Sequence, residues 1–147
     1  MKKRFLENKK GQSVIEFALV LPLLLAVLFG ITEFGRAIMV TNVLHTASRE
    51  GARTAAVAPD TSIARIQAEQ RIDEVLQAAA IKSEDVIKPY QIEFDLSTNR
   101  VVRVTVRAYF HDLALTALVN ILNTFFGGTT IPNEWMLRGT TVMRFEG

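Results

Sequence analysis

Gly11-Gln12-Ser13-Val14-Ile15-Glu16-Phe17-Ala18-Leu19-Val20-Leu21-Pro22-Leu23-Leu24-Leu25-Ala26-Val27-Leu28-Phe29-Gly30-Ile31 is the stretch that decides the fold. From Phe17 to Ile31 no charged side chain interrupts it, and Pro22 is its single helix breaker. Val14 to Ile31 would measure about 27 Å as an α-helix, close to the ~30 Å hydrocarbon core of a bilayer, so the run is long enough to span once. Pro22 removes one intrahelical hydrogen bond, a defect that membrane helices tolerate, and a local kink or a melted turn is expected there. Glu16 is the anomaly. A lone carboxylate costs roughly 2.5–3.5 kcal/mol at the centre of a spanning helix and less near the interface, so this one needs a partner.

Toward the N-terminus lie Lys2, Lys3, Arg4, Lys9 and Lys10 against the single acid Glu7. The whole chain of 147 residues carries a formal charge of only +2, so the basic character sits in residues 1–11 and the remainder is slightly acidic. Cations directly before an apolar helix fit the rule that the positive flank stays in the cytoplasm, and nucleic-acid binding is not expected. This leader has no hydrophobic periodicity and is expected to lack structure of its own. Three readings of the apolar run compete: a cleaved secretory signal, a retained signal anchor, and a prepilin-type signal cut on the cytoplasmic side. A secretory signal has an apolar core of about 7–15 residues followed closely by a small-x-small site, whereas Thr32-Glu33-Phe34-Gly35-Arg36 follows here, so the helix is expected to stay.

Helical character continues past the membrane, because no proline intervenes from Thr32 to Val57 and Ile31, Phe34, Ile38, Thr41, His45, Ser48, Ala52 and Ala55 follow three- and four-residue steps. Ala47, Gly51 and Ala55 recur every fourth residue, as do Ser48, Ala52 and Ala56. Such a seam lets a second backbone approach closely, whether that of another subunit or of the chain's own domain. Arg36, Arg49, Glu50 and Arg53 are expected in solvent, with Glu50 and Arg53 spaced to pair. Pro59 stops the helix.

The remainder predicts a small α+β domain. Asp60 or Thr61 can cap an amphipathic helix over about 62–80, with Ile63, Ile66, Ile72, Val75, Leu76 and Ala79 on its apolar face. The period then changes to two. Residues 90–96 and 101–110 read as an antiparallel hairpin, with Tyr90, Ile92, Phe94, Val102, Val104 and Val106 on one face and Glu93 set to pair with Arg103 or Arg107 on the other. Asp112 can cap a short apolar helix over 113–126, ended by Gly127-Gly128 and too short to cross a bilayer. A closing strand follows over 137–146. The expected division is a basic leader (1–11), a transmembrane helix with its extension (about 13–57, within 12–58) and an extracytoplasmic domain (59–147).

No catalytic constellation emerges. The chain has no cysteine, which excludes disulfides, thiolate metal sites and cysteine nucleophiles. His45 and His111 belong to different elements, and no phosphate loop, nucleophile elbow or dinucleotide fingerprint occurs. The expectation is a protein without enzymatic activity, cofactor, metal or small-molecule substrate.

Gly11 followed by Gln12-Ser13-Val14-Ile15-Glu16-Phe17 resembles a prepilin-type signal, in which a peptidase cuts after glycine and glutamate is fifth in the mature chain. With Ala18-Leu19-Val20-Leu21-Pro22, Glu33-Phe34-Gly35-Arg36 and Arg49-Glu50-Gly51-Ala52-Arg53, the stretch is similar to the TadE-like family of pseudopilins. The resemblance implies processing between Gly11 and Gln12 by a prepilin peptidase. It implies a place in the bacterial inner membrane, crossed once with the N-terminus cytoplasmic, and a part in assembling a tight-adherence (Flp) pilus with other pilus or pseudopilin subunits. It also implies that Glu16 and Phe17 are assembly residues, the new ammonium on Gln12 of an adjoining subunit neutralising Glu16 within the apolar bundle. The alternative is an uncleaved single-pass anchor whose domain binds an envelope ligand, for which an exposed patch near Phe125, Phe126 and Trp135 would be the mark.

Overall fold

The computed structural model describes residues 9–97, 99–111, 115–129 and 134–146. Its first element, α1, is a single helix of 48 residues, Lys9–Ala56, about 72 Å long at 1.5 Å per residue. The helix is unbroken at Pro22, so of the expected kink or melted turn the melted turn does not occur. One missing hydrogen bond among good helix formers is a local defect that the continuous turns on either side bridge. Residues 9–11 are already helical, so the lack of structure expected for residues 1–11 does not hold there; residues 1–8 lie outside the described residues.

The remaining elements are α2 (Thr61–Ala78), a 3-10 turn (Ser83–Asp85), β1 (Gln91–Asp95), β2 (Val101–His111), α3 (Leu115–Phe126) and β3 (Glu134–Arg144). The strands form an antiparallel sheet in the order β1-β2-β3. This is the α+β class expected, with β3 beginning three residues earlier than the alternation suggested. Glu93 lies opposite Arg103 and pairs with it at 3.6 Å, an exposed contact that contributes little.

The core is built around the second half of α1. Leu44, Ala47, Ala52 and Ala55 are wholly buried, in one cluster with Ile72 and Leu76 of α2 and with Ile92, Val102, Val104 and Val106 of the sheet. The approach is close because small residues meet on both sides. A Cβ at Gly139 of β3 would lie 2.3–2.5 Å from the backbone of Leu44 and His45, so only glycine lets the strand cross α1 there. One turn along α1, Ser48 Oγ and Thr141 Oγ1 share a hydrogen bond of 2.8 Å. Beyond β3, Glu146 N–H donates to Ala56 O, while Phe145 packs edge-on against Phe94.

Helix α2 turns a different face inward from the one its isoleucines suggest. Its buried line is Ala64, Ala68, Ile72 and Leu76, whereas Ile63 and Ile66 are exposed. The close fit against α1 selects small side chains at the contact, and Ile72 fills the space over Gly51. Asp60 occupies the N-cap position, but its carboxylate takes the hydroxyls of Thr61 and Ser62 and makes no capping bond to the backbone. At the other end Ile81 N–H reaches Leu76 O and Ala80 N–H reaches Gln77 O, a Schellman closure with Ala80 at φ 57°. The expected cap Asp112 lies outside the described residues.

Candidate assembly face along the first helix

At its N-terminal end α1 presents Gln12, Glu16 and Phe17 to the outside. Gln12 Nε2 donates to Glu16 Oε1 at 3.0 Å, so one helical turn brings amide and carboxylate together on the same side. Gly11 directly precedes them and is half-buried. From Val14 to Val20 every side chain is exposed, and most of the apolar side chains as far as Ile31 are too. Gly11–Ala56 contains a stretch long and apolar enough to cross a membrane.

The exposed apolar surface does not stop there. Ile31, Phe34, Ile38 and Met39 are all 60% or more exposed. Ile38 and Met39, with Asn42 and Val43 of α1 and Val75 and Ala78 of α2, line an open groove between the two helices. Ala47, Gly51 and Ala55, singled out as a packing seam, lie inside the domain: all three are buried, and Gly51 faces Ile72 of α2. The structure therefore places Gln12, Glu16 and Phe17 on an outward surface and the Ala47 seam in the core.

Between these regions lies an ionic node that sequence reasoning missed. Glu33 is only 8% exposed, with the Arg36 guanidinium 3.7 Å from its carboxylate. Arg36, expected in solvent, donates to the carbonyl of His111 at the end of β2, and its guanidinium lies 4.7 Å from the centre of the Phe110 ring. His111 in turn faces Asp85 at 3.4 Å and Glu134 at 4.0 Å. The node joins the end of the sheet to α1 just past the apolar run. Only long-range pairing creates it, and the sole local signal was the i, i+3 spacing of Glu33 and Arg36. Glu50, similarly, pairs with Arg71 of α2 at 3.4 Å rather than with Arg53.

Among the described residues no group of three His, Asp or Glu side chains is placed to hold a metal ion. What the geometry defines is an α+β domain carried on one long helix whose exposed apolar face fits a single-pass membrane anchor. A family model described as TadE-like protein matches residues 11–53, from the glycine before Gln12 to Arg53. The resemblance read from Gly11–Phe17, Glu33–Arg36 and Arg49–Arg53 is thus borne out over that segment, and the family is a pilus-associated structural one. No curated protein and no solved structure matches the chain significantly.

Proposed function

We propose that the protein is a non-enzymatic assembly subunit, a pseudopilin or minor pilin, of a tight-adherence pilus or related secretion machine. On this reading a prepilin peptidase cuts between Gly11 and Gln12. Residues 14–31 then cross the inner membrane with the leader cytoplasmic and the domain from Pro59 outside. The observation that carries the reading is the length of the exposed apolar face of α1. In a monomer the apolar face ends where the lipid ends, yet Ile38 and Met39, about 10–12 Å past Ile31, prolong it beyond the headgroups into water, where exposed apolar area is unfavourable. A neighbouring helix running alongside α1 covers both parts at once. Glu16 belongs to the same surface, and the ammonium created on Gln12 of a neighbour supplies the counter-charge that lipid cannot.

The alternative, an uncleaved anchor with a binding domain, draws on Trp135, which is 58% exposed; the side chains of Phe125 and Phe126 lie outside the described residues. Mass spectrometry of the full chain purified from its host membranes separates the two. The pilin reading expects a mature N-terminus at Gln12, and an intact leader in cells with an active prepilin peptidase sinks it. Glu16→Ala is expected to insert normally and to lose co-purification with the other pilus subunits; recovery at wild-type levels counts against the pairing role.

A further inference from the structure

We propose that α3, together with Trp135, Tyr109 and Met136 at the adjoining end of the sheet, is a second membrane contact, seated in the outer-leaflet interface beside the spanning helix. The inference rests on the reading that residues 14–31 span the bilayer, because that reading sets the depth of everything attached to α1.

The depth follows from one hydrogen bond. Arg36, which holds the carbonyl of His111, lies five residues past Ile31, or about 7.5 Å along the helix axis. The headgroup region of a bilayer adds roughly 5–8 Å beyond the hydrocarbon on each side, so the His111–Glu134 end of the sheet lies at headgroup level. Two aromatic side chains emerge there, one on each face of the sheet. Trp135, opposite Phe110, is 58% exposed, and Tyr109, opposite Met136, is 45% exposed. An amphipathic ring at this depth is what membrane interfaces select: the apolar body meets acyl chain and the N–H or O–H meets the headgroups.

From this end of the sheet the chain enters α3, Leu-Thr-Ala-Leu-Val-Asn-Ile-Leu-Asn-Thr-Phe-Phe, which carries no charge. Among the described residues the element it packs against most is α1. On α1, Leu25 and Phe29 are half-buried and Glu33 is buried; they recur every fourth residue and lead toward Arg36. Ile121 remains 55% exposed. Twelve residues reach about 18 Å, too short to cross, so the helix lies in the interface or dips into one leaflet. Its polar groups close on themselves at the far end, where Asn123 Nδ2 donates to Thr129 O and the Gly127 and Gly128 N–H groups both reach Asn123 O. Lipid is the occupant chosen because this surface is continuous with the lipid-facing surface of α1 at a depth the Arg36 bond fixes.

Trp135 is the only tryptophan and the chain has no cysteine, so both probes are clean. Full-length protein is reconstituted into phosphatidylethanolamine–phosphatidylglycerol vesicles with and without phosphatidylcholine brominated high in the acyl chains. The expected result is blue-shifted Trp135 emission that loses most of its intensity to the brominated lipid and little to aqueous iodide. An environment-sensitive label on Ile121→Cys is expected to report the same, and one on Leu24→Cys tests the span itself. A lipid-quenched label at 24 with Trp135 and the 121 label quenched by iodide overturns this proposal and leaves the span intact. A label at 24 exposed to water overturns the span reading. If Trp135 and position 121 are shielded from both quenchers and regain iodide access when each vesicle holds one copy, the surface binds a second copy and the proposal is likewise overturned. Ile121→Asp, checked for native helix content by circular dichroism, is expected to shift the Trp135 emission toward red; an unchanged spectrum counts against insertion.

Discussion

Gly51 and Gly139 both sit where α1 meets its covering layers, but what surrounds them differs. At Gly51 an added methyl meets the side chain of Ile72, with its Cγ1 at 2.7 Å and its terminal Cδ1 at 2.8 Å. At Gly139 it meets the backbone of Leu44 and His45, which cannot move without displacing α1. Overpacking costs about 1–3 kcal/mol, and a helical Gly→Ala change returns up to about 1 kcal/mol of propensity. Gly139→Ala is therefore expected to cost at least the upper part of that range and Gly51→Ala a small fraction of it. Thermal unfolding of both variants in detergent checks the order; equal losses would show that the sheet is not clamped on α1 as described. The Ala47–Gly51–Ala55 repeat made the first site legible as a close approach, since its period is local. Nothing near Gly139 in the sequence announces that Leu44, 95 residues earlier, lies against it.

Among elements, those with a strong local period were readable: the apolar run, the hairpin with its Val102-Val104-Val106 alternation, and the existence of α2 and α3. The inward face of α2 was not, because bulk hydrophobicity favours Ile63 and Ile66 while the fit to a small-residue helix favours Ala64 and Ala68. The same helix holds the entry to the sheet through Asp73, which accepts from Lys88 Nζ at 2.8 Å and from the Tyr90 hydroxyl. Burial first, and then the hydrogen bond and charge of Asp73, push the Tyr90 phenol well above its usual range. For Asp73 partial burial acts upward, but the bonds from Lys88 and Tyr90 together outweigh it and leave the carboxyl below its usual range. A raised folded pKa stabilises fully below the unfolded value of about 10 and loses that contribution as pH climbs toward the folded value. Tyr90→Phe is expected to cost about 1.5–3 kcal/mol at neutral pH, the range for a hydrogen bond to a charged group. The gap to wild type then narrows as pH rises past about 10. The difference in melting temperature between wild type and Tyr90→Phe, followed across pH, checks this. A gap that stays constant from neutral to alkaline pH rules the coupling out. On the acid side the Asp73 contribution is present above about pH 4 and lost as pH falls through its folded value.

At the scale of the whole molecule one helix serves two solvents. Its second half is the core of the α+β domain, its first half is apolar enough for lipid, and between them the two requirements overlap: Ile38 and Met39 are apolar and exposed although α2 is close by. If α1 of a neighbouring subunit runs alongside, these positions are where the two helices leave the membrane together, and the groove between α1 and α2 is where the neighbour's side chains enter. That juxtaposition predicts a pattern of crosslinks. With no native cysteine to interfere, Ile38→Cys and Met39→Cys treated with a short thiol crosslinker in native membranes are expected to give products joined to pilus subunits that bear cysteines near the same depth. Val57→Cys is as exposed as Ile38, at 68% against 61%, but lies at the far end of α1, and it is expected to give little product. Adding Glu16→Ala to Ile38→Cys is expected to lower the yield, because the proposed charge pair at the membrane edge is then gone. Crosslinking that is equal at 38 and 57 would mean random collision, and crosslinking at 38 that ignores Glu16 would detach the groove from the assembly seam.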